Sequence, residues 1–175
     1  MDKQTENTKF IIQRFDNYIS AANVKGNFLL AFNTFLTGGV LANYSKIQIL
    51  IKYDCALILF DITFFILIFL SLIITFFIIK AVYPYLLSGN STFKNYHSHL
   101  FFNSVSEFEN ENSYHESLSK LHNKEFDKDL SYQAYTLSKG LKIKYENLKW
   151  ATRFVYFELL CILIILLIIL FNANI

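Results

Sequence analysis

Hydrophobic and polar positions are sharply segregated along this chain. Residues 55–79 read CALILFDITFFILIFLSLIITFFII, an apolar run interrupted by one ionisable side chain, Asp61. At about 1.5 Å of rise per residue, such a helix is long enough for a hydrocarbon core about 30 Å thick. A helix that is apolar on every face needs either a very large protein around it or a bilayer, and 175 residues do not make a large protein. The pattern therefore predicts an integral membrane protein. Residues 151–171, ATRFVYFELLCILIILLIILF, repeat the signal, with Arg153 and Glu158 confined to the first turns. A third segment, 28–41 (FLLAFNTFLTGGVL), is shorter and carries Asn33, Thr34, Thr37 and the Gly38-Gly39 pair. Extended at either end it reaches spanning length, and a third span is the favoured reading.

Polar stretches show helical periodicity of their own. Ile11, Phe15, Tyr18 and Ala22 recur at helical spacing, which predicts an amphipathic helix leading into the first span. Pro84 is expected to end or kink the second span, and Ser88-Gly89-Asn90-Ser91 reads as a loop. Ser113 and Glu116 have the spacing of a capping box, predicting a short helix that runs to about His122. From Phe126 onward Leu130, Ala134, Leu137, Leu141, Tyr145 and Leu148 recur every three or four residues. This predicts one long helix over 126–171, or two nearly collinear ones hinged at Gly140, about 70 Å in length.

Charge sets the orientation. Four of the sixteen basic residues precede the first span, two lie between the first and second, and ten fall from Lys80 to Arg153. A cytoplasmic N-terminus and central segment place fourteen inside and two outside, which requires an odd number of spans. The expected fold is an all-α membrane protein with about three transmembrane helices. Residues 1–26 form a cytoplasmic amphipathic helix, and 27–45, 55–80 and 150–171 form the spans. Residues 84–149 form a small cytoplasmic helical domain, whose long helix continues into the last span.

Composition narrows the chemistry. Hydrophobic residues make up 54% of the chain and charged ones 17%, and the net charge of +2 gives no footprint for nucleic acid. Cys55 and Cys161 fall in apolar spans and read as small hydrophobes, not as a disulfide or metal pair. His97 and His99 have the spacing of metal ligands, but no cysteine or tight acidic partner accompanies them, so no metal is expected. There is no phosphate-cradling glycine loop, HExxH or CxxC, and no catalytic set, so an enzyme is not expected. Asp61 and Glu158 are costly in hydrocarbon unless paired or facing water. Asp61 divides between lining a gate and reaching the outer interface, whereas Glu158 is expected to pair with Arg153 or a backbone donor. Asp129, Gln133, Thr136, Gly140 and Lys144 share the polar face of the long helix, with Lys139 and Lys142 nearby. That face reads as a solvated or packing surface, or as a ligand site in which Gln reads a base edge and Lys holds a phosphate.

Two blocks carry a resemblance. The run from Phe15-Asp16-Asn17 through Ala22-Asn23-Val24-Lys25, continuing into Phe28-Leu29-Leu30-Ala31, resembles the opening of the membrane-spanning Pycsar effectors. Gln133, Leu137-Ser138-Lys139, Leu141, Lys144-Tyr145 and Leu148 are similar to the helix entering that family's last span. His99-Leu100-Phe101-Phe102-Asn103-Ser104 stands where the family has a short aromatic motif. Asn23 stands where aspartate is frequent. The resemblance implies an antiphage effector of the bacterial inner membrane. A partner cyclase makes cyclic UMP or cyclic CMP on infection, and the effector responds by impairing the membrane, which gives abortive infection. It makes 84–149 the sensor domain, with Gln133, Lys139, Lys144, Asn23 and Lys25 as ligand-binding residues and Asn33 and Asp61 as gate residues. It also implies a homo-oligomer with no cofactor. The competing expectation is a constitutive membrane scaffold or regulatory subunit that binds no nucleotide.

Overall fold

The computed structural model describes residues 3–84 and 98–173. These residues form six helices and no strand: α1 (Lys3–Ala42), α2 (Tyr44–Leu50), α3 (Asp54–Val82), α4 (Phe102–Val105), α5 (Glu111–Ser119) and α6 (Asn123–Ala173). The amphipathic N-terminal stretch and the segment after it form one unbroken helix, α1. Its polar interruptions, Asn33, Thr34 and the glycine pair, do not break it. Gly140 introduces no break in α6, which runs continuously for 51 residues. Two starting points differ from the sequence expectation. The capping box of α5 is built on Asn110, whose side chain accepts from the Ser113 backbone nitrogen at 2.9 Å, so Ser113 is the third helical residue and not the cap. Helix α6 begins at Asn123, where the Glu125 carboxylate reaches back to the His122 backbone nitrogen at 3.2 Å. The expected loop at 88–91 and His97 lie outside the described residues.

The chain divides into two compact units, Met1–Ala21 with Pro84–Ile143, and Ala22–Tyr83 with Lys144–Ile175. In the first, the start of α6 carries the 98–105 segment. Ser98 is fully buried and its Oγ donates to Asp129 Oδ1 at 2.8 Å. The same Oγ accepts from the Gln133 amide at 2.8 Å and from the backbone nitrogens of Leu100 and Phe101. Asp129 Oδ2 accepts from the His99 backbone nitrogen at 2.8 Å. The Thr5 hydroxyl donates to Asp127 at 2.5 Å, joining α1 to α6 within this unit.

The second unit contains α3 and the later part of α6, and among the described residues these are the two helices long and apolar enough to cross a membrane. In each, only 28% of the most apolar window is buried. Phe65, Phe69 and Leu72 on α3 and Leu163, Leu166 and Leu170 on α6 face outward. A core helix of a water-soluble protein would hide such residues; a helix solvated by lipid presents them. Its apolar contacts form two main clusters. Phe60, Leu67, Cys161, Ile165 and Ile168 meet with Ile51, and Ile74 and Ile78 meet Ala151 and Val155. Cys161 is buried as its sequence setting implies, but Cys55, in the first turn of α3, is exposed.

Candidate functional site

Polar side chains inside the second unit fall into three groups, two of them built from residues four apart on their helices. The first is centred on Lys144. Its side chain is only 4% exposed. Its ammonium donates to the carbonyl oxygens of Ala81 (2.7 Å), Val82 (3.2 Å) and Tyr83 (3.2 Å), and to Asn23 Oδ1 (3.2 Å). Those carbonyls are at the C-terminus of α3, where a helix leaves acceptors without intrahelical donors and concentrates partial negative charge. Lys144 thus caps α3 from α6, while Asn23 brings in α1. Burial pushes its ammonium down from the usual lysine range, and the ring of oxygen acceptors works against that pressure. Beside it, Gly26 lets α1 approach closely: a Cβ there would lie 2.7 Å from Val82 Cγ2.

The second group lies deeper in the apolar segments. Glu158 is completely buried and Asn33 is 1% exposed. The Thr37 hydroxyl donates to Glu158 Oε1 at 2.7 Å. With the Asn33 amide turned so that both of its ends are satisfied, its nitrogen donates to Glu158 Oε1 (3.0 Å) and Oε2 (3.2 Å). Its oxygen then accepts from the hydroxyls of Ser71 (3.2 Å) and Thr75 (3.1 Å). One carboxylate, one amide and three hydroxyls from α1, α3 and α6 satisfy each other away from water. Glu158 is paired with α1 residues and not with Arg153, whose guanidinium stands over the Trp150 ring, 4.9 Å from its centroid.

The third group is the connection between α1 and α3. Asp61 accepts from the Tyr44 hydroxyl (2.9 Å) and the Gln48 amide (3.1 Å), both on α2. The Tyr44 ring packs on Phe64 (4.4 Å) and Phe60 (5.5 Å), seating α2 against α3.

The structure therefore brings Asn23 and Lys144 into direct contact and leaves Lys25 exposed beside them, its ammonium 5.9 Å from the centroid of the Tyr145 ring. Gln133 and Lys139 belong to the other unit. Gln133 is buried on Ser98, and Lys139 is exposed with its ammonium over the Tyr135 ring. Asn33 and Asp61 sit in separate polar groups, not in one lining. His99 is engaged at its ring by Ser117 Oγ (2.9 Å) and at its carbonyl by the Tyr114 hydroxyl (3.0 Å). Sequence reasoning missed the Glu158 partners. The available signal was the matched i,i+4 spacing of Asn33 with Thr37 and of Ser71 with Thr75.

Outward-facing apolar helices tied together by buried polar groups define a helical membrane protein. The family model of the Pycsar effector protein domain matches residues 7–171, nearly the whole chain. The chain belongs to the Pycsar effector family. That membership makes it an antiphage defence effector located in the membrane, with a functional link to a cyclase system and its cyclic nucleotide signal. No curated protein and no solved structure matches it.

Proposed function

We propose that this chain is activated by a cyclic pyrimidine nucleotide, cyclic UMP or cyclic CMP, and then impairs the bacterial inner membrane so that infection aborts. The chain performs no chemistry itself and works as a homo-oligomer. Three helices cross the bilayer: α1 from about residue 27, α3, and α6 from about residue 150. The N-terminus and the polar unit lie in the cytoplasm, in keeping with the fourteen-to-two distribution of basic residues. The polarity of α1 supports its place as a span. Asn33 and Thr37 turn inward onto Glu158, whereas Phe28, Phe35 and Leu41 face outward, Phe35 being 77% exposed. Hydropathy along the sequence is diluted by residues that never meet lipid.

The observation that carries the mechanism is that α1 and α6 each supply residues to both units. Gln133 and Lys139 are the nucleotide contacts in the polar unit, one for a base edge and one for the phosphate. Ligand binding orders the stretches of α1 and α6 that continue into the helices carrying Asn23, Asn33, Lys144 and Glu158. The active state binds nucleotide more tightly than the resting one, which is the thermodynamic condition for any such shift. In it, the ties at Lys144 and Glu158 rearrange and the spans admit a leak, with Asn33 and Asp61 as the polar residues at the gate. Lys144 reaches a phosphate only by leaving the α3 carbonyls. Its first role is therefore in the helix tie.

Calorimetric titration of the detergent-purified protein with cyclic UMP, cyclic CMP, cyclic AMP and cyclic GMP tests this reading. Selective binding of one pyrimidine nucleotide is the expected result. A folded, oligomeric sample that binds none of the four overturns it in favour of a constitutive membrane scaffold.

A further inference from the structure

A cavity of about 600 Å³ opens between α1 and α6 inside the second unit. Its apolar wall comes from Phe28 and Leu29 on α1 and Leu148 on α6, and Tyr145 stands beside them. Among the described residues, two ammonium groups line it, Lys25 and Lys149, both exposed, and no carboxylate does. The Lys149 side chain makes no hydrogen bond or ion pair among the described residues. The level of the cavity is fixed by three helices. On α6 it spans the point where the apolar run begins, at Ala151. On α1 it flanks Gly26, which lies against Val82 at the end of α3. Polar chain becomes apolar at this height in all three, and Trp150, Tyr145 and Tyr83 supply the aromatic side chains that favour a bilayer interface.

We propose that this cavity is a binding site for an anionic phospholipid of the same leaflet. The phosphate is held between Lys25 and Lys149, and one acyl chain lies along Phe28, Leu29 and Leu148. Two cations over an apolar floor at the membrane boundary are the complement of a charged amphiphile. A nucleotide fits the cavity less well, because a base edge needs hydrogen-bonding groups. Among the described residues, the one hydroxyl besides tyrosine in the lining, on Thr152, already donates to the Leu148 carbonyl at 2.9 Å. The inference rests on α1 entering the bilayer together with α3 and α6.

Native mass spectrometry of the delipidated full-length protein tests it, with dioleoyl phosphatidylglycerol and dioleoyl phosphatidylcholine added in turn. The wild-type chain is expected to prefer the anionic lipid about thirtyfold, as two interfacial lysines imply. The Lys25→Gln/Lys149→Gln double variant is expected to lose that preference while keeping the wild-type melting temperature. The Lys25→Arg/Lys149→Arg variant is expected to keep it. Equal binding of the two lipids by the wild type, or an undiminished preference in the Gln variant, overturns the proposal. So does displacement of the bound lipid by a cyclic pyrimidine nucleotide, which gives the cavity to the signal. Maleimide labelling of F35C in vesicles, in a Cys55→Ser/Cys161→Ala background, separates the two readings. A shielded F35C with no lipid preference removes the lipid site alone. A freely labelled F35C removes the third span, and with it the lipid site that rests on it.

Discussion

Replacing Lys144 with methionine keeps most of the aliphatic stem and removes the ammonium. The loss is calculable from its surroundings. An ammonium has three N–H donors, and four oxygens stand 2.7–3.2 Å away. Hydrogen bonds to a charged group contribute about 1.5–3 kcal/mol each, while burying the ammonium costs several kcal/mol, so the net loss is about 2–4 kcal/mol. Lys144→Met also leaves the Ala81, Val82 and Tyr83 carbonyls without this donor at a terminus that has no other cation in contact among the described side-chain bonds. Lys80, in the last turn, is committed to the Phe76 ring at 4.6 Å. In a chain of this size the loss is expected to lower the melting temperature by about 4–16 °C. The assay is thermal unfolding in one detergent, followed by far-ultraviolet circular dichroism, with Asn23→Ala as a milder companion because it removes one acceptor of four. A Lys144→Met protein that melts within about 2 °C of wild type refutes the helix tie. If that same protein has lost nucleotide affinity, Lys144 is a ligand residue.

The buried carboxylate group permits a double-mutant cycle: Thr37→Val and Glu158→Gln are each expected to destabilise by about 1 kcal/mol, with a coupling of about 0.5–1.5 kcal/mol, read by denaturation in detergent or lipid. A coupling of zero would mean that the 2.7 Å contact contributes nothing. Two glycine substitutions are expected to have opposite signs. Gly38→Ala, with open space around its Cβ, gains helix propensity of about 0.5–1 kcal/mol, whereas Gly26→Ala loses about 1–2 kcal/mol because its Cβ meets the stiff Val82 side chain; melting temperatures check both. Asp129→Ala removes the acceptor for the Ser98 hydroxyl and the His99 backbone nitrogen, and is expected to cost about 2–3 kcal/mol. Hydrogen exchange should show the loosening confined at first to residues 98–105.

The two candidate membrane-crossing segments of α3 and α6 were legible because runs of about twenty residues with so few polar interruptions have few alternatives. The long final helix was legible as well, since Leu130, Leu137, Leu141 and Leu148 keep helical phase into the apolar run. Other features depend on who stands opposite. The polar face holding Lys144 reads along the sequence as a solvated or ligand-binding surface, and only packing shows that it meets the open end of α3. Asp61 and Glu158 present the same difficulty. Their residue types announce that partners are needed, but Tyr44, Gln48, Thr37 and Asn33 are chosen by tertiary geometry. Capping went astray by three residues because Ser113 can serve as a cap itself, whereas here it is the third helical residue in a box built on Asn110.

The bond between Thr37 and Glu158 joins residues 121 positions apart, as does the bond between Asn23 and Lys144. The first helix of the chain is completed long before its partners exist. At bacterial synthesis rates of 5–20 residues per second, Asn33 and Thr37 wait about 6–24 s for Glu158 to leave the ribosome. During that interval their amide and hydroxyl have no carboxylate to satisfy. The first helix reaches its final setting only when the last one arrives, so a ribosome that stalls before residue 144 leaves a fragment without either tie. Both ties of the first helix therefore form only after residues 144 and 158 have been made.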